Sequence, residues 1–158
     1  MAKSAKDFYD LVVRHACDDH LSYPLSLRHA MMAAIALHHL ADYRALETYS
    51  GADNSNAMRA AVNTVRDALT ARCKELMIIG DIADASKHSR LTTPKSGPRF
   101  VQDILQLSAS RGIFHAPLGQ GVFNEGAYIF VQLPDGTKMP FSQLLRRVQD
   151  MWKIELGI

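Results

Sequence analysis

The chain has 158 residues, of which 47% are hydrophobic and 22% charged, a composition typical of one globular domain with a single core. The formal net charge of +2 is too small for a dedicated DNA-binding domain, and the two cysteines, Cys17 and Cys73, have no metal-ligand spacing. The longest apolar run, residues 31–40, is interrupted by two histidines and is too short to cross a bilayer. We therefore expect a cytoplasmic protein with no membrane segment.

The first part of the chain predicts an antiparallel bundle of about four helices. Ser4 is a suitable N-cap for a first helix over residues 4–19, and the longest helix follows over residues 25–49. The third helix, from about residue 55, has the clearest 3.6-residue apolar period in the sequence. The apolar phase shifts near residues 73–75, so we expect a break there before a short fourth helix.

The composition changes after Leu91, where two prolines and a glycine end the helical part. Residues 100–108 fit either a strand or a short helix, and we favour the strand. Residues 111–126 are glycine-rich and predict a loop or an irregular hairpin. Residues 127–133 are rich in aromatic and β-branched side chains and predict a strand.

A Pro-Asp-Gly turn follows that strand and predicts a hairpin whose second strand covers residues 137–141, before a final helix that contains Trp152. The predicted fold class is therefore mainly α (α+β). We expect a single domain that consists of a helical bundle over residues 1–91 and a β-hairpin with a C-terminal helix over residues 92–158.

One short segment carries more polar groups than solubility requires. Asp81, Asp84 and His88 share one stripe of the fourth predicted helix, with Lys87 beside it, and the opposite face is apolar. These four side chains are candidates for a catalytic cluster in which Lys87 lowers a neighbouring pKa and His88 acts as the base. The alternative is a set of i,i+3 and i,i+4 pairs that only stabilise the helix.

A second candidate site joins two helices. If the second and fourth helices pack antiparallel, His38 or His39 and Asp42 face Asp84 and His88. Two imidazoles with two carboxylates are suitable ligands for zinc, manganese or iron. The sequence contains no Glu-x-x-His signature of a di-metal bundle. The favoured interpretation is therefore a polar network that fixes the register of the helices, and we expect no cofactor.

A third candidate is the pair Arg14 and His20 in Arg-His-Ala-Cys-Asp-Asp-His. The spacing resembles the Arg-x(4–6)-His motif of HEPN-domain ribonucleases, although that family carries its motif on a late helix. The resemblance implies an all-helical, dimeric, metal-independent enzyme in which His transfers protons and Arg stabilises charge at an RNA phosphate. The alternative is that both residues are solvated and that His20 lies near the C-terminal dipole of its helix.

Two segments together resemble a family of small uncharacterised bacterial proteins. The segments are His-Leu-Ala-Asp-Tyr at residues 39–43 and Gly-Asp-Ile-Ala-Asp-Ala-Ser-Lys-His at residues 80–88, and a late Asp-Gly turn before a helix with Trp152 also fits. Asp84 stands where we expect Asn in that family, and Gly80 stands where we expect Arg. If the Arg belongs to a HEPN-like active site, its replacement argues against catalysis.

Two hypotheses of different class follow. The first is a cytoplasmic helical binding or assembly module whose Asp/Lys/His cluster is mainly structural, which predicts a buried, hydrogen-bonded His88. The second is a HEPN-type ribonuclease or toxin-like component of a defence or mobile-element system, with RNA as a partner. It predicts that His88 or His20 is accessible in a cleft beside an arginine. We expect a homodimer, and the sequence identifies no small-molecule ligand.

Overall fold

The computed structural model describes residues 4–51, 54–88, 91, 99–110 and 128–158. Helix α1 consists of three consecutive pieces, Ala5–Phe8, a π-helical turn at Tyr9–Val13, and Arg14–Ser22. It is followed by α2 (Leu27–Glu47), α3 (Ser55–Arg72), α4 (Glu75–Ala85) and, after a small sheet, α5 (Phe141–Leu156). The fold is mainly helical with one antiparallel sheet and a C-terminal helix, as predicted.

The helices begin where capping residues in the sequence allow. The Ser4 side chain accepts a hydrogen bond from the backbone N–H of Asp7 at 3.0 Å, and Asn54 accepts one from Ala57 at 2.8 Å. The predicted break is confirmed, because Cys73 has an extended backbone between α3 and α4. Helix α4 ends at Ala85, so the predicted stripe that includes His88 is interrupted by a turn.

The three strands are β1 (Leu107–Ser110), β2 (Tyr128–Gln132) and β3 (Lys138–Pro140), in the order β1-β2-β3 and antiparallel throughout. The predicted hairpin between β2 and β3 is confirmed. Gly136 adopts a φ of 83°, which few other residues tolerate, and the carboxylate of Asp135 accepts a hydrogen bond from the N–H of Thr137 at 2.9 Å.

The prediction of a strand over residues 100–108 is wrong for most of that range. Residues Ile104–Gln106 form a 3-10 turn, and the strand begins only at Leu107. The side chain of Asp103 caps this turn, and the Gln106 side chain bonds back to the N–H groups of residues 102 and 103. The loop predicted over residues 111–126 lies outside the described residues.

Helix α2 lies at the centre of the core. Its small side chains, among them Ala33, Ala34 and Ala41, are buried and allow neighbouring helices to approach closely. Ile79 and Ile82 of α4 and Trp152 of α5 are fully buried in the same core. The face of α4 that was predicted to be apolar is therefore confirmed as a packing face.

Ion pairs attach α5 to the bundle. The carboxylate of Glu155 accepts hydrogen bonds from Arg44 of α2 at 3.0 Å and from Arg72 of α3 at 2.6 Å, and Arg147 pairs with Glu75 of α4. Two thiols, Cys17 and Cys73, are free and buried. Across the described part of the chain, no helix combines the length and apolar character needed to span a membrane.

Candidate functional site

A cleft of about 700 Å³ opens between α2, α3 and α4. Nine of its thirteen lining residues have polar or charged side chains, namely three arginines, three aspartates, one asparagine, one threonine and one histidine. The apolar part of its surface includes residues of α2 and α4. The lining residues are His38, Ala41, Arg59, Asn63, Arg66, Asp67, Thr70, Leu76, Met77, Gly80, Asp81, Asp84 and Arg99. Side chains from three helices and the side chain of Arg99 therefore line one cleft.

Gly80 and His38 are in close contact in the cleft. A Cβ atom at position 80 would lie 3.0 Å from Nδ1 and 3.3 Å from Cε1 of the His38 ring, closer than most carbon contacts. Glycine therefore leaves room for the imidazole between α2 and α4. A side chain at position 80 would require the ring of His38 to shift.

The imidazole of His38 is neutral at physiological pH. Burial lowers its pKa from 6.5 to about 3, and the nearby guanidinium of Arg66 acts in the same direction. The carboxylates of Asp84 and Asp42 oppose this shift without reversing it. A neutral imidazole can donate or accept a hydrogen bond in the cleft but carries no charge there.

A chain of polar contacts beside the cleft connects α2, α3 and the turn after α4. The ammonium of Lys87 lies 2.9 Å from Nε2 of His39, and Nδ1 of His39 lies 2.9 Å from a carboxylate oxygen of Asp42. Asp42 also accepts a hydrogen bond from Arg66 of α3 at 2.7 Å. Because an ammonium can only donate, Nε2 must accept, and the ring proton of His39 lies on Nδ1, toward Asp42.

A second network attaches the segment at residues 99–101 to α4. Asp81 is 7% exposed, and one of its oxygens accepts hydrogen bonds from the N–H groups of Phe100 at 2.7 Å and Val101 at 3.2 Å. Its other oxygen accepts one from Arg99 at 3.1 Å. Burial raises the pKa of the Asp81 carboxyl, and these donors act in the opposite direction. Arg99 also lies 3.5 Å from the carboxylate of Asp84.

Helix α3 forms the cationic wall of the cleft. Arg59, Asn63 and Arg66 follow one another at steps of four and three residues, so they share one face of the helix. Arg59 is exposed and has no ion-pair partner within the described ranges. The Nε atom of Arg66 is buried and has no hydrogen-bond partner in that same part of the structure.

The structure separates the residues of the predicted catalytic cluster. Asp81 and Asp84 line the cleft, whereas Lys87 and His88 lie in the turn after α4, are exposed, and are not among the lining residues. The expectation that His88 is buried is wrong. The alternative of i,i+3 and i,i+4 pairs that only stabilise the helix is wrong for Asp81, whose hydrogen-bond donors lie in residues 99–101. Asp42 pairs with His39 and with Arg66.

The proposed metal ligands do not form a binding site. No group of three or more His, Cys, Asp or Glu side chains within the described residues is placed to hold a metal ion. His39 and Asp42 are hydrogen-bonded to each other, and Asp84 lies beside Arg99. His88 lies outside the cleft that Asp84 lines.

Arg14 and His20 do not form a solvent-exposed pair. Arg14 is exposed on α1, whereas His20 is 1% exposed and its ring makes an edge contact with Phe141 at a centroid distance of 4.8 Å. Burial lowers the pKa of His20, so this histidine is a neutral core residue. The prediction that His20 is an accessible catalytic residue is therefore wrong. The alternative, that it is solvated at the end of its helix, is also wrong.

The sequence reasoning missed the three arginines of the cleft. The steps between Arg59, Asn63 and Arg66 are visible in the sequence and indicate one polar helix face, but such a face is usually only solvated. Arg99 follows a proline-rich segment and has no periodic pattern that associates it with Asp81. Only the tertiary structure brings it to the site.

Comparisons of the chain with protein-family models, with curated proteins and with solved structures found no match. The resemblances to HEPN ribonucleases and to a family of small bacterial proteins therefore stay predictions, and the site has to be interpreted from its own geometry.

We predict that Asp81→Ala lowers the free energy of unfolding by about 2–4 kcal/mol, because two backbone N–H groups and Arg99 lose a buried acceptor. Urea denaturation monitored by circular dichroism measures this loss. Asp67→Ala is the matched control, since Asp67 lines the same cleft but is exposed, and its effect should stay within about 0.5 kcal/mol. Equal losses in the two variants would contradict the anchoring role of Asp81.

We predict that acid destabilises the protein partly through His38. Since folding lowers the pKa of this histidine to about 3, its protonation is more favourable in the unfolded chain, and stability is lost as the pH falls below about 6.5. At about pH 5 the loss should be on the order of 2 kcal/mol relative to neutral pH. Urea unfolding of His38→Gln across this range should show a smaller loss, while the similar contribution of His20 remains. If the free energy of unfolding fell with pH equally in the wild type and in His38→Gln, the contribution assigned to His38 would be contradicted.

Proposed function

We propose that the protein is a non-catalytic helical binding module and that the cleft between α2, α3 and α4 is its binding site. The observation that carries the proposal is the cleft itself, whose volume of about 700 Å³ lies in the range of small-molecule pockets. Its walls are held in place by side-chain contacts that join α2 to α3 and to the turn after α4. A preorganised pocket with charged and polar side chains in its lining can select a ligand by hydrogen bonding and charge.

The state of the titratable groups supports binding rather than catalysis. A general acid or base works best when its pKa lies near the working pH, whereas the pKa of His38 is about 3. Asp81 is occupied by three donors, and Lys87 donates to His39 outside the cleft. Asp81 and Lys87 are therefore best explained as mainly structural, whereas the exposed His88 does not have the buried position that this hypothesis predicted. The two buried free thiols fit the proposed cytoplasmic location, where reducing conditions prevail.

A HEPN-type, metal-independent ribonuclease is the second candidate, and one observation favours it. An imidazole and three guanidiniums line the same cleft, which is a combination that suits an RNA phosphate. The histidine concerned is His38, whereas the family motif was matched at Arg14 and His20. The expected homodimer belongs to this candidate, because the dimeric state was implied by the HEPN resemblance.

A thermal-shift screen of chemically diverse small molecules tests the first candidate. We expect some compounds to raise the Tm of the wild type but not of Asn63→Trp, since an indole at this exposed position of α3 would fill the cleft. Asn56→Trp is the matched control, because Asn56 is exposed on the same helix and does not line the cleft. Compounds that stabilise both tryptophan variants equally would show that the cleft is not the binding site.

An RNA-cleavage assay with and without EDTA tests the second candidate, with Arg14→Ala, His38→Ala and His88→Ala as variants. We expect no cleavage by the folded wild type, because no histidine of the cleft within the described residues titrates near neutral pH. Cleavage that resists EDTA and disappears in His38→Ala would instead establish a nuclease in the cleft. Cleavage lost in Arg14→Ala alone would support the motif on α1.

A further inference from the structure

Some donors on the α3 wall of the cleft have no acceptor among the residues that the structure describes. Arg66 uses its Nη2 atom to bind Asp42 at 2.7 Å, but its Nε atom is buried and has no partner within the described residues. Buried polar groups are nearly always hydrogen-bonded in native proteins, so this Nε–H is a donor that an acceptor outside the described residues can satisfy.

Two further donors extend the same wall. Arg59 lies seven residues before Arg66, about two helical turns along α3, and its guanidinium has no ion-pair partner in the part of the chain that the structure describes. Asn63 lies between the two arginines and contributes a side-chain amide to the cleft. The wall therefore presents a row of two guanidiniums and one amide.

The carboxylates of the cleft do not cancel this row. Asp81 already accepts hydrogen bonds from Arg99, Phe100 and Val101, and Asp84 lies 3.5 Å from Arg99. Asp67 is exposed on the same wall. Asp81 and Asp84, which are less exposed than Asp67, thus both interact with Arg99. The groups of α3 that remain for a ligand are mainly hydrogen-bond donors.

We infer that the row of Arg59, Asn63 and Arg66 binds the phosphoryl group of a small phosphorylated molecule. The planar guanidinium matches pairs of phosphate oxygens, and a phosphoryl group has enough oxygens to engage two guanidiniums and an amide together. The volume of the cleft suits a ligand of nucleotide size. Asp67 is then available to accept a hydrogen bond from a hydroxyl or amino group of the same ligand. This inference rests on the proposed function, since it names the ligand class of that cleft.

Nuclear magnetic resonance of the arginine side chains tests the inference. We would titrate the full chain with inorganic phosphate and with adenosine 5′-monophosphate, at constant ionic strength maintained with chloride. The Nε–H signal of Arg66 should shift in a saturable manner with both probes. Arg59→Gln should weaken the binding about tenfold, because one charge-assisted contact is lost. Arg59 is exposed, so this variant should fold even if Arg66→Gln, which breaks the contact to Asp42, does not.

Arg146→Gln is the matched control, because Arg146 is an exposed arginine of α5 that does not line the cleft. It should bind both probes like the wild type. An equal loss of affinity in Arg59→Gln and Arg146→Gln would show attraction by net charge only and would overturn the inference. Absence of any shift at Arg66 would overturn it as well. In that case a ligand that distinguishes Asn63→Trp from Asn56→Trp would still support the cleft as a binding site.

A third arm uses a short single-stranded RNA as the probe. If the RNA shifts the Arg66 signal at concentrations about a hundredfold below those of adenosine 5′-monophosphate, contacts beyond one phosphoryl group contribute, and the assignment to a small molecule is overturned. We expect the affinity of the RNA, expressed per terminal phosphate group, to be no higher than the affinity of adenosine 5′-monophosphate. This arm separates a small-molecule pocket from a groove that follows a nucleic-acid backbone.

Discussion

The close packing of α2 on α4 is the constraint on which the rest of the structure depends. Buried alanines on α2 and Gly80 on α4 leave little side-chain volume between the two helices, and the ring of His38 occupies the remaining space. Because the backbones are near each other, Lys87 reaches His39, and the polar chain continues through Asp42 to α3. The positions of three helices and the shape of the cleft between them thus follow from small residues in the core.

Asp81 fixes the position of residues 99–101 against α4. A carboxylate with low exposure is unfavourable unless its lone pairs are occupied, and here two backbone N–H groups and a guanidinium occupy them. The same contacts fix the backbone just before the sheet and place Arg99 in the cleft. Asp81 therefore both anchors this backbone segment and positions one of the charged groups of the cleft.

Much of the architecture could be predicted from local patterns. The break at residues 73–75, the hairpin around Gly136 and the apolar face of α4 depend on neighbouring residues in the chain, and the structure confirms them. The strand predicted at residues 100–108 failed because Asp103 and Gln106 form a capped 3-10 turn, and such local side-chain bonding can outweigh β-propensity. Part of the site was also visible, since Asp81 and Asp84 were selected for their unusual density of charge.

The sequence by itself determined the helices, the order of the elements and the polar character of the segment around Asp81. Only the tertiary structure decided which polar groups share the cleft, because His38, Arg66 and Arg99 are far apart in sequence and meet through packing. It also decided that His20 is a core residue and that His88 lies outside the cleft. The physical reason is that periodicity gives the face of a helix on which a residue lies, whereas burial and pKa depend on what that face contacts.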